Sequence, residues 1–166
     1  GRQLGFYVRR QAEAFSEAVF GGLRPGQLVT VSGPLGDFVL RDEASEPAIF
    51  IAHGDGIAPI KSLIEHAVSI DHIESFHLYW DTRYPEAHHQ AQWGRALRDA
   101  LDNFGFTPLM SGHAKDLIAL ICADRPEPTG ARFYVAGPSE LIKATRTALL
   151  ALGVEPDRIA TEETAT

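Results

Sequence analysis

From Ile49 to Thr161 short apolar runs alternate with longer stretches of helical periodicity, and that alternation leaves few folds open to the chain. Strands are expected over Ile49 to Ala52, Ser75 to Trp80, Phe106 to Met110, Arg132 to Val135 and around Arg158 to Thr161. Helices are expected over Ile57 to Val68, His89 to Phe104, Ala114 to Ala123 and Ser139 to Leu152. Repeated β-α units of this kind build an α/β fold, here a five-stranded parallel doubly wound sheet with helices on both faces. The polar, charged stretch Arg41 to Glu46 marks a domain boundary, so the sheet domain spans residues 47–166. Before it, Leu4 to Val8 looks like the end of a strand and Ala12 to Phe20 like a short helix. Leu28 to Val31 and Phe38 to Leu40 look like further short strands, with Arg24 to Gln27 (RPGQ) as a turn.

In an open parallel sheet, ligands sit beyond the carboxyl ends of the strands where strand order reverses, so the loops after the strands are where chemistry belongs. The first is the most informative. In Pro47 to Pro59, PAIFIAHGDGIAP, an apolar strand runs into Gly54-Asp55-Gly56 and out into a helix starting near Ile57. Glycines let backbone N–H groups approach a diphosphate closely, and a helix N-terminus adds partial positive charge. Alone, this short glycine spacing equally fits a plain strand-turn-helix crossover.

Composition narrows the field. The chain has 166 residues, 45% of them hydrophobic and 22% charged, enough for a sizeable core. It carries 15 basic against 22 acidic residues, a formal charge of −7 with no basic run, which argues against a nucleic-acid partner. The single Cys122 excludes a cysteine-ligated iron–sulfur cluster, a zinc-thiolate site or a disulfide framework on this chain. The histidines lack partners at ligand spacing, so no metal site is expected. No apolar run approaches the roughly 20 residues that span a bilayer, and no signal peptide is expected. A reducing cytoplasm is the expected compartment.

Four landmarks occur in order: Val31 to Phe38 (VSGPLGDF), the Gly54 turn, Phe133 to Pro138 (FYVAGP) and Arg158 to Glu163 (RIATEE). In this order and at these separations they resemble the ferredoxin–NAD(P)H reductase family, in which a GPxGxF segment ends a flavin barrel and a GGTGIAP-like loop opens the nucleotide domain. The resemblance runs from about Phe6 to Glu163. It implies a partial antiparallel β-barrel of the FAD domain over residues 1–46, followed by an NAD(P)-binding domain over 47–166. Forty-six residues are too few for a complete six-stranded barrel, since ordinary strands take about five residues plus connections. The expectation is therefore that further chain completes the flavin half, the alternative being a short form that has lost it.

The resemblance also implies roles. Gly54, Asp55, Gly56, Ile57, Ala58 and Pro59 form the pyrophosphate cradle. His53 replaces a usual glycine and Asp55 a usual threonine, and a carboxylate facing a diphosphate repels it by on the order of a kcal/mol. Arg83, after the second strand, is placed to hold phosphate and ribose; it reads equally as a solvated surface arginine. Ser111 and His113 lie where NADPH-using relatives carry a Ser-Arg pair for the 2′-phosphate. The arginine position is Gly112, and His113 offers only a fractional charge near neutrality. NADH is accordingly the expected nucleotide, with NADPH left open. Ala136, Gly137 and Pro138 are expected beside the nicotinamide, although Gly137-Pro138 also suits a strand stop and helix start. Arg9 and Ser16 resemble the family's second flavin contact, with Glu13 where a glycine is usual; Ser16 also reads as a helix N-cap. Glu162 and Glu163 are candidates for a charge or proton role near the reacting rings, or else belong to a solvated acidic tail ending at Thr166.

The function this implies is flavin-dependent NAD(P)H oxidoreduction. Hydride passes from NADH to FAD, and electrons pass on to an acceptor protein, a ferredoxin, an oxygenase or similar. The rival reading is a non-catalytic binding or assembly module that keeps the fold with a degenerate phosphate loop, which Asp55, His53 and Glu13 would permit. The sequence does not indicate an oligomeric state.

Overall fold

The computed structural model describes residues 4–8, 10, 12–33, 35–41, 43, 45–84 and 87–164. Arg9, expected at the flavin, and Pro34 of the GPxGxF segment lie outside the described residues, as do the last two residues of the acidic tail.

The strand β1, Ala48–His53, is buried along its whole length, which marks a central strand of a parallel sheet covered on both faces. It pairs in parallel with β2 (Phe76–Asp81) on one side and β4 (Arg132–Gly137) on the other. β3 (Phe104–Leu109) extends the sheet beyond β2 and β5 (Ile159–Glu163) beyond β4, giving the order β3-β2-β1-β4-β5. The expected five-stranded parallel doubly wound sheet is formed. The chain winds outward from β1 to β3, then returns to the opposite side of β1, so order reverses between β1 and β4.

Because successive side chains of a strand point to opposite faces, one sheet feeds two cores. Phe50, Ala52, Leu78, Trp80, Phe104, Phe106 and Tyr134 pack with α2 (Ile57–Ile70) and α3 (Ala91–Ala100). Ile49, Ile51, Tyr79, Phe133 and Val135 pack with α4 (Ala114–Asp124) and α5 (Ser139–Ala151) on the other side. Tyr79 and Trp80 are fully buried, one in each core.

The observed elements stay within two residues of expectation except around α3. That helix ends at Ala100, where Leu101 turns extended (φ −126°, ψ 123°), and Phe104 begins β3 instead of closing the helix. Phe104 and Phe106 alternate inward with Gly105 between them, a strand period. Gly105 is required there: a Cβ on it would lie 2.2 Å from His77 Nδ1.

The chain divides into two compact units, Gly1–Asp37 and Phe38–Thr166. The second includes residues just before the sheet. Phe38 meets Tyr134 edge-on with ring centroids 6.2 Å apart, Leu40 is buried, and the Arg41 N–H donates to the Tyr134 hydroxyl at 3.1 Å. In the first unit, α1 (Ala14–Glu17) runs into a π-helical turn, Ala18–Gly22, so the helical stretch is displaced two residues from the expected Ala12 to Phe20 and changes type partway. The expected strands at Leu4 to Val8, Leu28 to Val31 and Phe38 to Leu40 are not paired among the described residues. A strand needs a neighbour for its backbone groups; Leu4 and Leu28 are 73% and 97% exposed, whereas Phe38 and Leu40 pack into the core of the second unit without pairing as a strand. No closed barrel is formed by the described residues.

Candidate functional site

All five strands are parallel, so the candidate residues of the second unit gather at one edge, beyond the strand carboxyl ends. At the switch point the loops after β1 and β4 touch. A Cβ on Gly56 would lie 2.1 Å from the Ala136 carbonyl oxygen, so only glycine fits this approach of turn to strand end. Gly54 adopts the left-handed conformation (φ +55°), and a Cβ there would meet nothing within 4 Å. The outer side of the turn is thus open while its inner side is closed against Ala136. The turn is a single 3-10 segment, Gly54–Gly56, leading directly into α2 with Ile57 fully buried. Ile57, Ala58 and Pro59 form the first turn of α2; the Ile57 N–H donates back to the Gly54 and Asp55 carbonyls, and Pro59 has no N–H to offer. The Trp80 indole N–H donates to the Gly54 carbonyl at 3.0 Å and holds the turn from below.

His53 does not fill this space. Its side chain is fully buried, with Nε2 3.1 Å from the Thr145 hydroxyl of α5 and Nδ1 3.6 Å from Asp81 Oδ2. Asp55 lies half-buried in the turn.

The third loop is organised by Asp81, the last residue of β2. Its Oδ1 accepts from the Ser111 N–H at 2.9 Å, the Ser111 hydroxyl at 3.1 Å and the Gly112 N–H at 3.1 Å. Burial pushes this carboxyl upward, but the facing His53 ring and the Ser111 and Gly112 donors outweigh it and hold it below the usual carboxylate range. Arg83 is exposed and lies across Gly112, its Cγ 3.0 Å from where a Cβ on Gly112 would stand. The absence of a side chain at Gly112 therefore makes room for a guanidinium from the neighbouring loop. His113 is exposed, and its N–H donates to the Ser111 hydroxyl at 3.2 Å.

On the other side of the switch point, Ala136 is buried at the end of β4 and Pro138 precedes α5. Ala136 registers with Glu162 and Gly137 with Glu163, and the Thr164 N–H donates to the Gly137 carbonyl at 2.9 Å. Glu163 Oε1 accepts from the Ser139 hydroxyl at 2.9 Å. Both glutamates stand on paired β5 next to the Ala136–Pro138 loop, within the sheet rather than on a free tail. In the first unit, Ser16 is buried and is the third residue of α1, behind Glu13 as its N-cap. Together with Arg10, Glu17, Phe20 and Gly21 it lines a hollow of about 290 Å³. The Arg10 guanidinium carbon sits 4.7 Å over the Phe20 ring.

Sequence reasoning assigned no role to Asp81 or Thr145. A carboxylate ending an apolar strand was the available signal for Asp81. Thr145 shows only as a polar residue on the buried stripe Ile142, Thr145, Leu149.

No protein-family model matches the chain. Among curated proteins it is 28% identical over 151 residues to the ferredoxin–NAD(P)(+) reductase component of the naphthalene 1,2-dioxygenase/salicylate 5-hydroxylase systems of a Ralstonia species, covering 87% of this chain and 46% of that protein. Its fold is similar to a cytochrome P450 reductase from Amycolatopsis, with a TM-score of 0.74 and 23% identity over 89% of this chain and 48% of that one. It is also similar to a ferredoxin NADP+ reductase from Neisseria gonorrhoeae, with a TM-score of 0.73 and 19% identity over 92% and 70%. The chain spans less than half the length of the first curated relatives it matches, 29%, 46% and 40%. Among the described residues no helix is long and apolar enough to cross a membrane. In its sheet order and its switch-point turn, and by these relatives, the chain is similar to ferredoxin reductase-like flavin/NAD(P)H oxidoreductases.

Proposed function

We propose that the Phe38–Thr166 unit binds a nicotinamide dinucleotide across its switch point, as part of an electron-transfer oxidoreductase that passes electrons from NAD(P)H through FAD to a ferredoxin, an oxygenase or a similar acceptor protein. The observation that carries this reading is the paired geometry of Gly54 and Gly56. One is open to solvent in a left-handed turn, and the other is pressed against Ala136 so closely that no side chain fits. A diphosphate on the open side would meet the backbone of the Gly54–Gly56 turn, with the dipole of α2 favouring its charge.

The remaining candidates take roles from their positions. Arg83 would meet the phosphate and ribose groups, with Ser111 and His113 beside the adenosine ribose. We favour NADH, because Gly112 supplies no side chain for a 2′-phosphate; Arg83 lying over Gly112 keeps NADPH in play. Ala136, Gly137 and Pro138 would border the nicotinamide, small enough to let the ring pass. Glu163, held by the Ser139 hydroxyl, would keep a negative charge at the rim of that space, with Glu162 one position back on β5. Arg9 and Ser16 would contact FAD, whose isoalloxazine supplies the hydride-accepting and one-electron chemistry when bound. The buried Ser16 and the cation of Arg10 share one hollow, where the Glu17 carboxylate opposes and the guanidinium favours a phosphate group. Residues 1–46 are then the part of the flavin domain present here.

A second reading, a nucleotide-free binding or assembly module, is favoured by one residue: Asp55 puts a carboxylate inside the turn. Calorimetric titration with NADH and NADPH separates the two. Saturable binding of either supports the oxidoreductase, whereas no heat with either supports the module.

A further inference from the structure

Three buried polar side chains lie under the crevice with no part in the chemistry proposed above: His53, Asp81 and Thr145. They come from β1, β2 and α5 and meet at His53, whose two ring nitrogens face the other two. Asp81 Oδ1 is fully used by the Ser111 and Gly112 donors of the loop after β3. Asp81 Oδ2 and His53 Nδ1 are both buried, make no hydrogen bond among the described residues, and face each other at 3.6 Å. That separation exceeds a hydrogen bond but is a close charge–dipole contact in a medium that screens little. An ionised carboxylate only accepts, so the ring proton belongs on Nδ1, leaving Nε2 to accept from the Thr145 hydroxyl. His53 also supports the loop after β4, since a Cβ on Gly137 would lie 2.6 Å from His53 Cβ.

We infer that His53 is a positioning residue: it compensates the inner oxygen of Asp81, keeping the outer oxygen locked on the Ser111 and Gly112 N–H groups, while its own backbone and Cβ set the place of Gly137. The loops after β1, β3 and β4 thus take their relative positions from one buried residue, the β3 loop through its imidazole and the β4 loop through its backbone and Cβ. Without Nδ1, Asp81 is left with a buried, uncompensated oxygen, and the carboxylate must admit water or rotate off the loop amides. The loop-holding part stands on the contacts alone. Its consequence, that His53 sets dinucleotide affinity from beneath the crevice, rests on the function proposed above.

Two variants separate the ring nitrogens. The side-chain nitrogen of His53→Asn falls near the position of Nδ1, and that of His53→Gln near Nε2. Amide hydrogen exchange followed by NMR on the intact chain is expected to run about tenfold faster at Ser111 and Gly112 in His53→Gln, the size expected for losing support of a charged hydrogen bond. Exchange at Phe133 and Val135 stays unchanged, and His53→Asn returns Ser111 and Gly112 toward wild type. Asp81→Asn, which keeps the shape and removes the charge, is a second route to the same loosening. Equal acceleration at Phe133 and Val135, or no difference between Asn and Gln at position 53, overturns the inference. Titration with NAD+ on the same samples is expected to show weaker binding for His53→Gln than for His53→Asn. Equal affinities despite loosened loop amides would overturn the link to the nucleotide. If wild type itself binds no NAD+, the proposed function fails while the exchange data still decide whether His53 holds the loop.

Discussion

Asp55 is the residue on which two readings of the turn divide. Facing a bound diphosphate, its carboxylate costs on the order of 1 kcal/mol of affinity, so Asp55→Thr should tighten NADH binding about fivefold by calorimetry; unchanged affinity would mean the carboxylate turns away from the ligand. Gly56 makes a complementary case. Its φ of −55° suits any residue, so what forbids a side chain is space alone. Gly56→Ala should lower stability by about 1–3 kcal/mol through overpacking against the Ala136 carbonyl, read by chemical denaturation. His77 tests a half-buried polar contact on the α4 face. It stacks on Tyr79 with centroids 4.2 Å apart, and Nε2 meets the Thr107 hydroxyl at 2.7 Å. Burial, helped by nearby Arg125, lowers its pKa from 6.5 to about 4. Between those values the unfolded chain binds a proton that the folded chain refuses, so the His77 contribution to stability is complete above about pH 6.5 and falls as pH drops toward 4. His77→Gln should flatten that part of the stability–pH curve; an unchanged slope would show that His77 takes up its proton without opposing the fold.

At the scale of elements, β4 carries both cores and part of the crevice, and Tyr134 ties it to the segment before the sheet. Stacked on Phe50 at 5.2 Å and accepting the Arg41 N–H, it holds residues 38–41 against the sheet. Tyr134→Phe should cost about 1 kcal/mol, the net worth of one hydrogen bond, and speed amide exchange at Arg41, while the fold remains. The parallel sheet was legible because its central strands are buried on both faces and read as apolar runs, β1 most plainly. The end of α3 was not, since Leu101 and Phe104 continue a helical spacing, and only the pairing of Phe104 with Phe76 selects strand. The glycine turn was legible as a motif; its close approach to Ala136 was not, because that contact joins residues about eighty positions apart. The orientation of His53 was hidden for the same reason: it depends on Thr145 and Asp81 arriving from other elements. The short strands before residue 41 were read from composition, and among the described residues they find no neighbours to pair with.

For the whole molecule, the two units differ in how they are held. Phe38–Thr166 encloses two apolar cores on either side of its sheet, while Gly1–Asp37 leaves Leu4, Phe6, Phe15, Leu28 and Leu35 exposed. A fragment beginning at Phe38 is therefore expected to unfold in one cooperative transition by calorimetry; a broad, non-cooperative melt would show that its cores are incomplete without the preceding residues. Such a self-supporting unit is what a rigid nucleotide platform requires, since the loops beyond the strand ends inherit their positions from the sheet. The central claim is that the Gly54–Gly56 turn and the Ala136–Pro138 loop grip a dinucleotide together. The most direct measurement is an NMR titration of the intact chain with NAD+, following backbone amides. Saturable shifts are expected to concentrate at Gly54, Gly56, Ile57 and Gly137, with smaller ones at Ser111 and Gly112; the absence of shifts at the turn at saturating nucleotide would contradict a shared grip.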